Sequence, residues 1–551
     1  MRTVAEVIQR LLPSGTSLKA GKSNWDSVPF WPPDLFAVAA TLVNLSGCYA
    51  RPRYLCGLGD DCAFDDAYRK SVEDLGEEYG EWKIPPGLQA LWDVLWEEPW
   101  RIHGGENRRQ WWDAAMRLLA IADHACAGVG FAPERDRDSS TSLRIFEALK
   151  AEAKSGKSDL PYVPNSLCFG VPPETACVQP KTRTPQIGCT LRSLSHNLAL
   201  LPAIGDVKTY WRYGTNAEDD SDEPLNMLLI PFPYEIRGDS FVALPSDEEG
   251  DSPRAGFFDV HQKWLDGVTP RAFANFVRKL IKAGRREVQH IHAVVLPEAA
   301  LEQQFANDVA NLLRREEKLE IFISGVVEPK TNVSRNRTFS MLFEKGEPLA
   351  QWRQSKHHRW KLDEHQVHRY NLGHVLGKRR SWWENIDVGG RECYFYVFRN
   401  GASMAVLICE DLARIDPVQN VVRAIGPNLV VALLMDGPQL EQRWPARYAT
   451  VLADDPGSAV LTLTSLGLIR RSNMPSEKGK RTIALWKETL GSSREIELPD
   501  GCLSLVMTLS PSKEENVTND GRSDGKSTTK LSLTSVIGLR LSDPPAWLHT
   551  V

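Results

Sequence analysis

No apolar run in this chain approaches the roughly 18 residues that a membrane-spanning helix needs. The start of the chain also lacks the apolar core of a signal peptide. Ten cysteines are scattered through 551 residues without a CxxC spacing, which argues against a disulfide framework and a zinc site. A net charge of -5 gives no global attraction to nucleic acid or membranes. These absences predict a soluble protein of the reducing cytoplasm, with no metal, cofactor or membrane partner.

Three common motifs are also missing. No GxxxxGK[ST] loop is present, which excludes the commonest route to ATP binding. Gly57-Leu-Gly59 lacks a third glycine and a preceding strand, so it is interpreted as a turn. Ser403 lies in an approximate serine nucleophile elbow, but the only histidine that follows it is His549, almost at the end of the chain. A serine hydrolase is therefore not indicated.

The length is too great for one ordinary domain, and 42% hydrophobic residues suffice for two cores. Residues 1–215 carry apolar residues at helical spacing and many tryptophans, which predicts a mainly helical domain of unknown role. An acidic linker is predicted at 216–224, and residues 225–551 form the second domain. Polar tracts at 246–253 and 511–530 are interpreted as mobile insertions in that domain.

Strand-like and helix-like segments alternate through the second domain. Apolar strands are predicted at 226–232, 321–327, 428–435 and 458–466, with helices at 270–283, 301–313, 417–425 and 440–452. Such alternation is typical of an α/β layered domain. The predicted fold class is therefore α/β, preceded by the mainly helical N-terminal domain.

Cys409 is the most informative single residue. It ends the apolar run 404–408 and is followed by Glu410, Asp411 and a helix-like segment. A buried strand would deliver this thiol to the edge of a sheet, and a following helix N-terminus would lower its pKa. Such a cysteine is often only a small core residue. The interpretation as a nucleophile depends on two other segments.

Two further predicted strands end in residues that complete a reaction centre. Pro297 stops a strand directly before Glu298, and a second strand-like stretch ends at Lys356. A carboxylate can act as the general base for a thiol, and a fixed cation can stabilise the oxyanion of a tetrahedral intermediate. The three strand ends thus carry the residue types that nucleophilic catalysis at an amide needs.

In these motifs the chain resembles the nitrilase, or carbon-nitrogen hydrolase, superfamily over residues 225–510. Leu296-Pro-Glu298 is similar to the family's glutamate motif, Lys356-His-His358 to its lysine motif, and Leu407-Ile-Cys409-Glu-Asp411 to its cysteine motif. The Cys-Glu-Asp form is that of glutaminase domains in NAD synthetases. The resemblance implies an αββα sandwich with a Glu298, Lys356 and Cys409 triad that needs no metal.

The same resemblance implies further residues and an assembly. Glu364 best matches the family's second glutamate, with Asp363 as a close alternative. His358, Glu410 and Asp436 are the expected substrate contacts beside the triad. Nitrilase-like domains commonly pair through the helices that follow the cysteine and the next strand, here 417–425 and 440–452. The expected state is a homodimer or higher oligomer.

A basic segment between residues 351 and 380 separates the lysine from the cysteine. It holds eight lysines and arginines, five histidines and only two acidic residues, and tryptophans occur in and just after it, at 352, 360, 382 and 383. It is interpreted either as a solvated insertion or as a pocket wall that attracts an anionic substrate. A nucleic-acid strand is a weaker alternative.

The leading hypothesis is a cysteine-dependent amidase or nitrilase that hydrolyses a small non-peptide amide through a thioester. One alternative is a non-catalytic ligand-sensing or interaction protein built on the same domain. Another is an amide-forming acyltransferase, in which an amine replaces water. The sequence leaves the substrate and the choice between hydrolysis and acyl transfer open.

Overall fold

The computed structural model describes residues 2–548 apart from 17–23, 51–63, 82, 104–108, 128–165, 204–206, 215–221, 246–255, 331, 378–379, 474–478 and 490. In these ranges the helices are α1 (Val4–Leu11), α2 (Pro32–Ser46), α3 (Asp66–Gly80), α4 (Pro86–Val94), α5 (Arg109–Ala125), α6 (Pro270–Val288), α7 (Gln303–Leu313), α8 (Glu364–Arg369), α9 (Asn420–Ile425), α10 (Trp444–Asp454) and α11 (Leu466–Asn473). No helix in the described ranges is both long and apolar enough to span a membrane.

Strands dominate from residue 177 onward. They are β1 (Cys177–Pro180), β2 (Leu198–Leu201), β3 (Lys208–Tyr213), β4 (Leu225–Leu229), β5 (Phe241–Ala243), β6 (Gly256–Val260), β7 (Ala293–Val295), β8 (Leu301–Glu302), β9 (Ile321–Glu328), β10 (Arg335–Glu344), β11 (Glu347–Ser355), β12 (Lys361–Leu362), β13 (Trp382–Glu384), β14 (Glu392–Phe398), β15 (Ala402–Ile408), β16 (Leu429–Leu434), β17 (Ala459–Thr464), β18 (Thr482–Lys487), β19 (Arg494–Glu497), β20 (Ser504–Glu514) and β21 (Thr528–Leu539). The predicted α/β class is confirmed at the level of a mixed α/β fold with several sheets.

Two large sheets organise the second half of the chain. The first has the order β11-β10-β9-β7-β4-β20-β21, with β8 beside β9. The second has the order β19-β18-β17-β16-β15-β14-β3. Within it, β15, β16 and β17 run parallel. Their carboxyl ends therefore lie at one edge, where loops can carry functional side chains.

Alternation along β15 shows how the layers stack. Met404 and Val406 belong to a core shared with the first sheet and with α6 and α7. Ala405 and Leu407 belong to a separate core shared with α9, α10 and the N-terminal helices. Because successive strand residues face opposite sides, the second sheet is covered on both faces. The order of layers is helices, sheet, sheet, helices.

The N-terminal half is joined to this assembly by β3. This strand pairs in parallel with β14 at the end of the second sheet. Tyr210 stacks on Tyr394 with ring centroids 4.9 Å apart, and Trp211 stacks on Phe395 at 5.0 Å. The predicted boundary at residue 215 therefore falls after a strand that completes the sheet of the second half. Of the predicted linker at 216–224, residues 216–221 lie outside the described residues.

The polar tract at 511–530 is placed differently from the mobile insertion that its composition indicated. Its ends belong to β20 and β21, and the connection between them packs against the helical half. Asp520 accepts a hydrogen bond from Tyr68 at 2.8 Å, and Arg522 pairs with Asp123 at 3.2 Å. Polar residues here are buried because they satisfy one another. The tract at 246–253 lies outside the described residues.

A smaller sheet, in the order β12-β13-β6-β5, forms a cap together with α8. Its core also contains Ala299 and Met435, which are the neighbours of Glu298 and Asp436 in sequence. The large aromatic residues of this core are Phe241, Phe258, Trp360, Tyr370 and Trp382. The cap thus packs beside the strand ends where the sequence predicted a site.

Candidate active site

Glu298, Lys356 and Cys409 each follow a strand, as the sequence predicted. Glu298 comes three residues after β7, Lys356 directly after β11, and Cys409 directly after β15. The first two strands belong to one large sheet and the third to the other. The charges of Glu298 and Lys356 both act on the Cys409 thiol, which places the three residues near one another.

Gly325 on β9 allows the chain to pass closely behind Glu298. A Cβ atom at this position would lie 2.3 Å from the Cα of Glu298, far inside van der Waals contact. The backbone N–H of Gly325 donates to the carbonyl of Pro297 at 3.0 Å. A glycine is thus required for the approach that fixes the Glu298 backbone.

Lys356 is held between two carboxylates. Its Nζ lies 2.8 Å from Oε1 of Glu298 and 2.7 Å from Oε2 of Glu384. Asn336 Nδ2 donates to Oε1 of each glutamate at 2.8 Å. These side chains are all buried, so the charges interact in a medium of low polarity. The amide and the ammonium together fix both carboxylates.

The electrostatics follow from burial and from these pairs. Burial alone would lower the pKa of Lys356, but Glu298 and Glu384 outweigh it and hold the pKa well above its usual value. Burial raises the pKa of Glu298, and Lys356 opposes this shift. Lys356 is therefore a permanent cation, and Glu298 is a better proton acceptor than an ordinary carboxylate.

Cys409 occupies a tight turn with φ of 43°, a left-handed conformation that is uncommon outside glycine. Burial raises the pKa of its thiol well above the usual value, Glu298 adds to this shift, and Lys356 opposes it. The helix N-terminus that was expected to lower this pKa does not directly follow the cysteine: a 3-10 turn and a π turn come first, and α9 begins only at Asn420. Burial and the neighbouring carboxylate thus favour the neutral form of the thiol.

Asp411 connects the two turns that carry the lysine and the cysteine. Both of its oxygens accept the backbone N–H of His357 at 3.1 Å. His358 Nδ1 lies 3.0 Å from Asp411 Oδ1, and His357 Nδ1 lies 3.2 Å from Oδ2. Burial raises the pKa of Asp411, but the hydrogen bonds from His357 and His358 outweigh it and lower the pKa. This carboxylate stays ionised and holds the turns together.

Asp436 follows β16 at the same edge as Cys409. Tyr370 donates its hydroxyl to Oδ1 at 2.6 Å, and Arg443 donates to the same oxygen at 2.6 Å. The backbone N–H of Gly437 also donates to Oδ1, at 2.8 Å. Three donors therefore fix one oxygen of this carboxylate, and its expected role as a substrate contact stays a prediction.

The other expected site residues, His358, Glu410 and Glu364, lie nearer the surface than Lys356 and Glu298. His358 is partly exposed, and Glu410 pairs with Arg414 at 2.9 Å near the surface. Glu364 is the exposed first residue of α8, behind Asp363, which caps this helix. Glu384, and not Glu364, is the second carboxylate beside Lys356. The expectation that Glu364 is the second glutamate of the site is therefore wrong, because Glu364 is exposed on α8.

The sequence did not single out Glu384, Asn336, Tyr370 or Arg443. Glu384 ends a short strand of the cap, and Asn336 lies inside β10. Glu384 follows two tryptophans, whereas Asn336 lies between two arginines, so neither residue gives a clear local signal of a site. Arg443 and Tyr370 lie outside the motifs, so no local pattern joined them to Asp436.

The basic segment is dispersed in the fold. Arg353 lies over the ring of Phe339, and Arg359 donates to the carbonyl of Ile386 at 2.9 Å. Trp352 and Trp360 are buried in the cores and do not form an exposed stacking surface. Lys378 and Arg379 lie outside the described residues. Across the part of the chain that is described, no cluster of three or more His, Cys, Asp and Glu side chains could hold a metal ion.

Comparisons with known proteins give structural similarity alone. No family model matches the chain, and no curated protein matches it. Nit3 of Saccharomyces cerevisiae, from branch 10 of the nitrilase superfamily, is 14% identical, with 50% of this chain and 88% of that chain covered at a TM-score of 0.29.

Two further solved structures are similar at the same level. A carbon-nitrogen hydrolase of Helicobacter pylori is 11% identical, with 50% of this chain and 87% of that chain covered at a TM-score of 0.29. A glutamine-dependent NAD(+) synthetase of Cytophaga hutchinsonii is 11% identical, with 52% of this chain and 42% of that chain covered at a TM-score of 0.26. These three similar structures are thus described as a member of the nitrilase superfamily, a carbon-nitrogen hydrolase and a glutamine-dependent NAD(+) synthetase.

Proposed function

We propose that the chain is a carbon-nitrogen hydrolase that cleaves a small non-peptide amide, or a nitrile, with Cys409 as nucleophile. The observation that carries the proposal is the buried pair of Lys356 and Glu298, 2.8 Å apart, at strand ends beside the Cys409 turn. Burying a cation between two carboxylates has a high desolvation cost, and here the buried group accompanies a cysteine with a strained, left-handed backbone. Such groups cluster at functional sites.

Glu298 acts as the general base in this mechanism. Its Oε2 atom is buried without a hydrogen-bond partner among the described residues, while Oε1 binds Lys356 and Asn336. The free oxygen takes the proton of the Cys409 thiol as the thiolate attacks the amide carbon. The raised pKa of Glu298 favours this transfer. The C–N bond then breaks, and Glu298 returns the proton to the departing amine.

Lys356 stabilises the oxyanion of the intermediate. An ammonium group has three N–H donors, and Glu298 and Glu384 accept two of them. The third N–H, together with the backbone N–H of Glu410, is assigned to the developing negative charge. Water gives a proton to Glu298 as it attacks the thioester carbon, the C–S bond breaks to release the acid, and Glu298 returns the proton to the Cys409 thiolate. His358, Glu410 and Asp436 are assigned to the substrate.

An untargeted metabolite comparison tests the proposal and identifies the amide at the same time. Cells that produce the wild-type protein are compared with cells that produce Cys409→Ala, with the exposed Cys189→Ala as the matched control. We expect an amide to accumulate and an acid to decrease only in Cys409→Ala. The purified wild-type protein should then form an acyl adduct on Cys409, visible by intact-mass spectrometry. A biological activity that survives Cys409→Ala would instead support the ligand-sensing protein.

A further inference from the structure

Asp436 has one oxygen that the protein does not use. All three donors that reach this carboxylate, from Tyr370, Arg443 and Gly437, converge on Oδ1. Oδ2 is buried and has no hydrogen-bond partner among the described residues. The residue as a whole is only 4% exposed. A buried carboxylate oxygen without a donor is costly, so a ligand that brings a donor would remove the penalty.

The unused oxygen belongs to the site of Cys409. β15 and β16 are parallel neighbours, and Ile408 lies opposite Leu433 in their register. Cys409 and Asp436 therefore leave the sheet at the same edge, one and three residues beyond this pair. The charge of Asp436 also acts on the Cys409 thiol. A group bound at Oδ2 is thus within reach of a substrate that is attacked by Cys409.

The fixed charges around the site favour a cation over an anion. Lys356 and Arg443 are the positive groups, and each is already paired with a carboxylate. The carboxylates outnumber them, since Glu298, Glu384, Asp411 and Asp436 all lie in the site. Two arginines of the basic segment are directed elsewhere, Arg353 onto a ring and Arg359 onto a backbone carbonyl.

We propose that Asp436 Oδ2 binds a primary ammonium group of the amide substrate, so that the enzyme selects amides that carry a cationic amine. This inference rests on the proposed function and specifies its substrate class. It opposes the anionic preference that the composition of the basic segment suggested. Asp436 would hold the ammonium while the amide carbon lies at Cys409, and Tyr370 and Arg443 would fix the orientation of the carboxylate.

Charged thiol reagents measure this preference without a known substrate. Three methanethiosulfonates are used, with 2-aminoethyl, methyl and 2-sulfonatoethyl groups, and modification of Cys409 is followed by peptide mass spectrometry. Rates are divided by those of free cysteine with the same reagent. We expect the corrected rate to be higher for the cationic reagent than for the anionic one. In Asp436→Asn the ratio of these two rates should fall about tenfold, as expected for the loss of one nearby charge.

Matched variants and the neutral reagent separate the outcomes. Asp500→Asn removes an exposed carboxylate that pairs with Arg481, and the ratio of cationic to anionic rates in this variant should equal that of the wild type. Asp436→Glu should keep the cationic preference. Equal rates for both charged reagents in the wild type, or a ratio unchanged in Asp436→Asn, would overturn the ammonium site while leaving Cys409 as nucleophile. If Cys409 resists even the neutral reagent, the proposed function fails together with the inference.

Discussion

Substitutions of Glu384 and Glu364 test which of these two carboxylates holds Lys356 in position. Glu384→Gln removes one of the two charges that hold Lys356, so the ammonium is expected to shift from its position. We expect kcat/KM to fall about a hundredfold, the effect of a small misplacement in a reaction centre. Glu364→Gln is the matched control, and its kcat/KM should stay within about twofold of wild type, as for other exposed sites. The assay is hydrolysis of the amide found by metabolite comparison.

A comparable loss in both variants would indicate general damage to the cap. A loss only in Glu364→Gln would restore the assignment made from sequence. The difference between the variants therefore decides which glutamate supports Lys356.

The two glutamates also show how far the sequence predicts the site. Glu298, Lys356 and Cys409 could be singled out from sequence because each follows its own predicted strand, and a strand end is a local signal. Glu384 reaches Lys356 only because the cap strand β13 folds back over the site. Its distance along the chain depends on an insertion, so spacing alone favoured Glu364. Whether the three motif residues act as a triad stays a prediction.

Asp411 sets the geometry of two elements, the turn after β11 and the turn after β15. Asp411→Asn keeps the shape but loses the charge that accepts from His357 and His358. We expect a loss of about 3 kcal/mol in the free energy of unfolding at neutral pH, typical for hydrogen bonds to a buried charged group. Chemical denaturation measures this loss. Asp416→Asn, on the exposed side of the same loop, is the control.

The pH dependence of this difference has a defined sign. The pKa of Asp411 is lower in the folded protein than in the unfolded chain. Its contribution to stability is therefore fully present above the usual pKa of an aspartate, about 3.9, and is lost as pH falls through the folded value. The wild type and Asp411→Asn should converge below about pH 4. A constant difference down to about pH 2 would contradict the ionised carboxylate.

The sequence predicts secondary structure most accurately where one continuous apolar run forms one strand. β9, β16 and β17 match their expected positions closely because they are continuous apolar runs. The predicted helix at 417–425 is shorter, since a π turn occupies Ile415–Gln419 before α9 begins. β3 was missed as a partner of β14 because strand pairing across so many residues leaves no periodic signal in either strand.

At the scale of the whole molecule, Arg522 fixes the connection between β20 and β21 to the helical half. It pairs with Asp123 at 3.2 Å and Asp520 at 2.9 Å, and it donates to the carbonyl of Leu194 at 2.6 Å. Arg522→Ala leaves two buried carboxylates without their cation. We expect a loss of about 3–5 kcal/mol in the free energy of unfolding, measured by denaturant titration.

Arg540→Ala is the control for this loss, because Arg540 is exposed just beyond β21. Its effect should be below about 0.5 kcal/mol, as for most surface substitutions. If both variants lowered the free energy of unfolding equally, Arg522 would not specifically hold the β20–β21 connection to the N-terminal helices.

One of the two helices expected to form the homodimer contact, α9, is already covered by the same chain. α9 packs against β2 of the same chain, and its apolar residues join the core of the N-terminal helices. α10 keeps an outer face with Val451 exposed and with Trp444 and Tyr448 half-buried. We propose that this face forms the dimer contact. Light scattering should show a mass above 61.8 kDa for the wild type and a return to 61.8 kDa in Val451→Arg. A wild type at 61.8 kDa contradicts the proposal.

The strand β3 precedes the predicted domain border but belongs to the sheet of the second half, so the two halves cannot be separated cleanly at that border. A fragment that begins at residue 216 would leave the N–H and C=O groups of β14 open along a flat edge and would expose Tyr394 and Phe395, which β3 covers. Open edges of this kind recruit other chains. A recombinant that exchanged the N-terminal half at residue 215 would therefore be expected to aggregate, whereas one that kept β3 with the second half would not.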